Sequence, residues 1–92
     1  MNVTRISEFK AVDEKHEELY DFLQSLKPYI SSSEGCISYE VLRHDDDQTA
    51  FIAIEKWDSK ESHINSVNNF PKDQMQAAMS LFGAPPKGNY YY

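Results

Sequence analysis

Residues 34 to 57, EGCISYEVLRHDDDQTAFIAIEKW, decide how this 92-residue chain is read, because two runs of strand-forming residues flank a short polar turn. CISYEVLR (36–43) and TAFIAIEKW (49–57) are rich in β-branched and aromatic residues, and HDDDQ joins them as a hairpin connection. Alternation along each run suggests a register. With Val41 opposite Ile52 and Tyr39 opposite Ile54, one face collects Ile37, Tyr39, Val41, Ile52 and Ile54, while the other collects Cys36, Ser38, Glu40, Leu42, Phe51, Ala53, Glu55 and Trp57. A one-residue slip sets Ile52 and Ile54 beside Ser38 and Glu40, so the first register is expected.

Upstream, NVTRISEFK (2–10) places Val3, Arg5, Ser7 and Phe9 on one side and Asn2, Thr4, Ile6 and Glu8 on the other, which suits a strand covered on both faces. From Asp13 the spacing changes: Val12, His16, Leu19, Leu23, Leu26 and Ile30 recur at steps of three and four, one stripe of a helix. Pro28 disfavours helical geometry at Lys27, so this helix should end or kink there before the loop SSSEG. Downstream, Asp58 with Glu61 has capping-box spacing and predicts a second helix starting at Asp58. Pro71 can open a further helix carrying Met75, Ala78, Met79 and Phe82 on one face, and KGNYYY reads as a last strand. The order β, α, β, β, α in two pieces, β predicts an α+β chain of ferredoxin-like split βαβ type, with an antiparallel sheet and one domain over 1–92.

Nine Lys/Arg against fifteen Asp/Glu leave a formal charge of −6 with no basic cluster, which argues against nucleic acid or an anionic membrane surface as partner. One cysteine cannot close an intrachain disulfide, and MNVTRISEFK lacks the apolar run of a signal peptide, so a cytoplasmic protein is expected. A chain this short gains from pairing with a second copy. Six Tyr, five Phe and one Trp exceed what a minimal core needs, leaving aromatics for a pocket or an interface.

EGCISYEV, the acidic turn and FIAIEKWDSKES together resemble the antibiotic biosynthesis monooxygenase family, whose members carry a Gly-Cys/Ser-apolar-x-Tyr-x-apolar strand and then an apolar strand ending Glu-x-Trp-x-Ser-x-Glu. The resemblance implies a dimeric α+β barrel, with a pocket between sheet and helices onto which the Trp57 side of the hairpin looks. It also implies a cofactor-independent monooxygenase acting with O2 on a small phenolic, quinol or polyketide-like compound. Other family members degrade haem or isomerise a phosphorylated sugar. The sequence departs from the family at three places. Ser66 stands where many members have a histidine, Ala53 where cofactor-free oxygenases have an asparagine, and FPKDQMQ (70–76) lacks the axial histidine of the haem-degrading branch. A non-catalytic small-molecule-binding dimer is the alternative those departures motivate, with haem degradation third.

Within that frame His63 and Glu55 are the candidate acid–base groups, and Trp57, Tyr39 and Phe51 the candidate substrate contacts. Each has a plainer reading: a solvated surface residue for His63, a salt bridge to Arg5 or Arg43 for Glu55, core or dimer packing for the aromatics. Cys36 has no legible base or cation beside it and reads as a packing residue. His16 reads as a helix side chain half-buried on the sheet, and His44 as paired with the turn carboxylates. No histidine, cysteine or carboxylate spacing suggests a metal site.

Overall fold

The computed structural model describes all 92 residues. Its elements are β1 (Val3–Lys10), α1 (His16–Ser25), α2 (Lys27–Ser31), β2 (Cys36–Arg43), β3 (Ala50–Trp57), α3 (Lys60–Asn69), α4 (Lys72–Ala78), a 3₁₀ turn (Met79–Leu81) and β4 (Lys87–Tyr91). The sheet order is β2-β3-β1-β4 and every neighbouring pair is antiparallel, the ferredoxin-like arrangement expected from the element order.

The helices cover one face only. There Leu19 and Leu23 of α1, spaced one helical turn apart, meet Phe51 and Ala11 in a buried cluster flanked by Phe9, Tyr20, Phe22, Val41, Leu81 and Phe82. Pro28 limits the first helix as expected. The chain breaks at Leu26 and restarts as α2, with the proline in its first turn, where a missing amide costs nothing. Two boundaries differ from expectation. α1 begins at His16, because Val12–Lys15 form a turn in which Glu14 takes a positive φ of 68°. α3 is capped by Ser59 and not Asp58. The Ser59 hydroxyl accepts the Ser62 amide at 3.1 Å, while Asp58 holds the Ser62 hydroxyl at 2.6 Å.

The hairpin register also needs correction. Cys36 pairs with Trp57, but a bulge follows, and from Ser38 onward every partner is displaced: Tyr39 lies opposite Glu55, Val41 opposite Ala53, Leu42 opposite Ile52. The extra residue at Ile37 reverses the alternation, so Tyr39 and Val41 join Phe51, Ala53, Glu55 and Trp57 beneath the helices. Ile52 and Ile54 turn to the open face with Ile6 of β1. The reversal is stabilised at Tyr39, which is buried and donates its hydroxyl to the Leu23 carbonyl at 2.7 Å near the end of α1.

Candidate functional site

On the covered face, β3 presents Glu55 and Trp57 two residues apart, and α3 lays His63 over the tryptophan. Trp57 has no exposed surface, and Glu55 and His63 each keep 7%. The Trp57 indole donates to Glu55 Oε1 at 3.1 Å. The His63 ring stands edge-on to Trp57, with centroids 5.6 Å apart, and edge-on to Tyr90 of β4 at 5.4 Å. Its Nδ1 shares a 2.6 Å hydrogen bond with the Tyr90 hydroxyl, the ring's one protein partner. Arg5, the cross-strand neighbour of both Glu55 and Tyr90, places its guanidinium carbon 4.7 Å from the Tyr90 ring centre.

Burial dominates the electrostatics. Loss of water, reinforced by the Arg5 charge, pulls His63 from 6.5 down to about 4, so the imidazole is neutral at physiological pH. Burial pushes the Glu55 carboxyl up, against the pull of the Trp57 hydrogen bond and of Arg5. Burial and the Glu55 charge together raise the Tyr39 phenol, which stays protonated. The arrangement is thus a neutral base and a carboxyl of weakened acidity among aromatic rings, beside half-buried Arg5 and Tyr90.

The structure brings together four of the five candidate residues: Trp57, Glu55 and His63 in direct contact, and Tyr39 across the register from Glu55. Phe51 is apart, at the far end of β3. It is buried in the α1 cluster and lines a hollow of about 540 Å³ with Phe9, Arg43, Ala84 and Pro85. A second hollow of about 490 Å³ is polar and lies against α2 and α3, where Ser66, Tyr29 and Ser33 meet. There the Tyr29 hydroxyl donates to the Ser66 carbonyl at 2.7 Å, and the Ser33 and Ser66 hydroxyls are 2.9 Å apart. Neither hollow is lined by Glu55, Trp57 or His63.

The remaining sequence candidates fall elsewhere. Cys36 is half-buried, and burial followed by the Glu55 charge pushes its thiol up, away from the reactive thiolate. Arg43 pairs with Glu17 at 3.0 Å and lies over the Tyr20 ring at 3.8 Å, so it does not meet Glu55. His16 leaves a buried Nδ1 without a partner. His44 accepts two turn amides at 3.0 Å through Nδ1. No group of three His, Cys, Asp or Glu side chains is placed to hold a metal ion, and no helix is long and apolar enough to cross a membrane.

Two members of the cluster were not among the candidate site residues. Arg5 sits on the inward side of β1 among Val3, Ser7 and Phe9, and a cation in an inward strand position is a signal the alternation did carry. Tyr90 depends on the β1–β4 register, a long-range pairing with no local signature.

The family model for antibiotic biosynthesis monooxygenase matches residues 2–80. Among solved structures, a protein of Chloroflexus aurantiacus provisionally named antibiotic biosynthesis monooxygenase is 26% identical, with a TM-score of 0.79 over 100% of this chain and 94% of that one. A Pseudomonas aeruginosa protein, PA3566, is 21% identical with a TM-score of 0.88, covering 99% and 92%. A mutant of SnoaB, a cofactor-independent oxygenase from Streptomyces nogalater, is 14% identical with a TM-score of 0.84, covering 99% and 91%. No functionally curated protein matches the chain in sequence.

Proposed function

We propose that this chain, which belongs to the antibiotic biosynthesis monooxygenase family, is a cofactor-independent oxygenase that oxidises a small phenol or quinol with O2 at the Glu55–Trp57–His63 cluster. The observation that carries the reading is the placement of the His63 imidazole, held by Tyr90 through Nδ1 and set edge-on against a fully buried tryptophan. With the Nδ1 proton donated to the Tyr90 oxygen, Nε2 presents a free lone pair.

Chemistry of this kind asks little of the protein beyond a base and a dry aromatic setting. The substrate hydroxyl gives its proton to His63 Nε2. The phenolate transfers one electron to O2, and the resulting radical and superoxide combine at a ring carbon. The peroxide takes back the proton from His63. Loss of the ring C–H proton then cleaves the O–O bond, leaving a carbonyl on the ring and releasing water. One oxygen atom enters the product, the other leaves as water, and the substrate supplies all four electrons. Trp57 and Tyr39, both buried, form the apolar backing of the imidazole, and Glu55 accepts the indole N–H.

The reading includes a homodimer. Ile6, Ile52 and Ile54, with exposed Leu42 and Tyr91, lie on the sheet face that no helix covers, which suits a second copy packed sheet to sheet. The binding-only alternative draws support from Ala53, a buried methyl on the same face as Glu55 and Trp57 that offers a substrate no hydrogen bond.

Oxygen-electrode assays across a panel of phenols and hydroquinones test the proposal. Uptake that exceeds a denatured control and falls at least about 100-fold in His63→Gln supports it. A panel with no uptake above the control refutes it.

A further inference from the structure

Arg5 is a cation without a hydrogen-bond or ion-pair partner in the protein. It donates no hydrogen bond to any protein group, its Nε is buried with none, and none of the ion pairs (Lys10–Asp47, Lys15–Glu18, His16–Glu17, Arg43–Glu17) involves it. Its cross-strand neighbour Glu55 gives Oε1 to the Trp57 indole and forms no ion pair with it. A second unpaired cation, Lys60 in the first turn of α3, approaches the same Tyr90 ring at 4.9 Å from its centre. Two unpaired cations therefore sit on one tyrosine, in a chain of net charge −6 where carboxylates are plentiful.

Gly88 of β4 leaves room for the guanidinium. A Cβ added there would push against the mobile end of Arg5, so the missing side chain lets the arginine lie against β4 beside Tyr90. A buried N–H without a partner is destabilising until an acceptor completes it.

We infer that Arg5, supported by Lys60, is a carboxylate receptor at the mouth of the cluster, so that the substrate class is an anionic aromatic acid and not a neutral phenol. This rests on the proposed site but not on its chemistry. A planar guanidinium matches a carboxylate in two parallel hydrogen bonds, and Lys60 adds charge without geometric demand. With the carboxylate held there, the aromatic body of the ligand lies beside Tyr90, whose hydroxyl meets His63.

The test compares 2,5-dihydroxybenzoate with its methyl ester by calorimetry on the full-length protein, wild type and Arg5→Gln, Arg5→Lys and Lys60→Gln. The wild type should bind the acid at least about tenfold tighter than the ester, equivalent to about 1.4 kcal/mol. Arg5→Gln should bind acid and ester alike, at the wild-type ester affinity. Lys60→Gln should narrow the preference, and Arg5→Lys should restore part of it. Equal wild-type affinity for the two probes, binding of neither, or a preference that survives in Arg5→Gln overturns the inference. Should Arg5→Gln fail to fold, Lys60→Gln and added salt decide, since both must weaken the acid and spare the ester. Oxygen uptake is read separately. Arg5-dependent acid binding without uptake keeps this inference and removes the oxygenase, whereas uptake with neutral quinols alone does the reverse.

Discussion

His63 Nδ1 lies 2.6 Å from the Tyr90 hydroxyl, a bond that ties α3 to the last strand and fixes the imidazole against Trp57. Tyr90→Phe leaves the nitrogen without its partner and should destabilise the protein by about 1–3 kcal/mol in urea unfolding. If the phenol also sets the tautomer, the same variant should lose oxygenase rate with little change in substrate affinity.

The depressed pKa of His63 makes a prediction about pH. In the unfolded chain the group titrates near 6.5, in the folded one at about 4, so between these values the unfolded state binds more protons. The contribution of His63 is fully present above pH 6.5 and is lost as pH falls toward 4. The ring proton resonance of His63 should titrate with a midpoint near 4, and His63→Gln should flatten stability against pH in this window.

Glu55 acts in the opposite sense. Its carboxyl is raised by burial, so ionising it costs stability, and that cost grows as pH rises above the ordinary 4.5. Glu55→Gln keeps an acceptor for the Trp57 indole and removes the buried charge. It should unfold at a higher temperature than wild type at pH 7, with the gain vanishing below pH 4.5. A lower midpoint at pH 7 would show that the ionised carboxylate is stabilised by Arg5 after all.

Much of this site was legible in the sequence and one part of it was misread, for a physical reason. Glu55 and Trp57 share a face because strand side chains alternate, and His63 lies within reach because α3 follows Trp57 after a short turn. Unbroken alternation puts Tyr39 on the wrong face, because it runs straight through Ile37, where the strand bulges. Such a bulge is hard to see when both faces of the sheet are apolar, since collecting oily residues on one side no longer discriminates between registers. The long-range pairing that brings Tyr90 beside Arg5 has no local pattern at all.

Gly35 precedes that bulge and has a positive φ of 87°, while its carbonyl accepts the Asp58 amide at 2.8 Å. An added Cβ would meet Ser62 Oγ at 2.4 Å and Asp58 Oδ1 at 2.5 Å. Gly35→Ala should cost about 1–2 kcal/mol for the left-handed backbone alone. It should cost more for displacing the Ser62–Asp58 hydrogen bond at the start of α3. Urea unfolding followed by the single tryptophan measures the sum, and a loss below the backbone figure would mean the turn relaxes.

The open sheet face supplies the last prediction. Ile54 stands opposite Ile6 on one side and Glu40 on the other, and no helix covers it. If a second copy packs there, Ile54→Lys buries an unpaired ammonium in each half of a symmetric interface, a penalty of several kcal/mol per ion that dimerisation cannot offset. In the monomer the same lysine faces water and changes little. Light scattering should therefore give twice the chain mass of 10.7 kDa for wild type and the single-chain mass for Ile54→Lys, with the far-ultraviolet spectrum unchanged. A wild type that runs as a monomer at micromolar concentration would refute the dimer, and the three isoleucines would then need another cover.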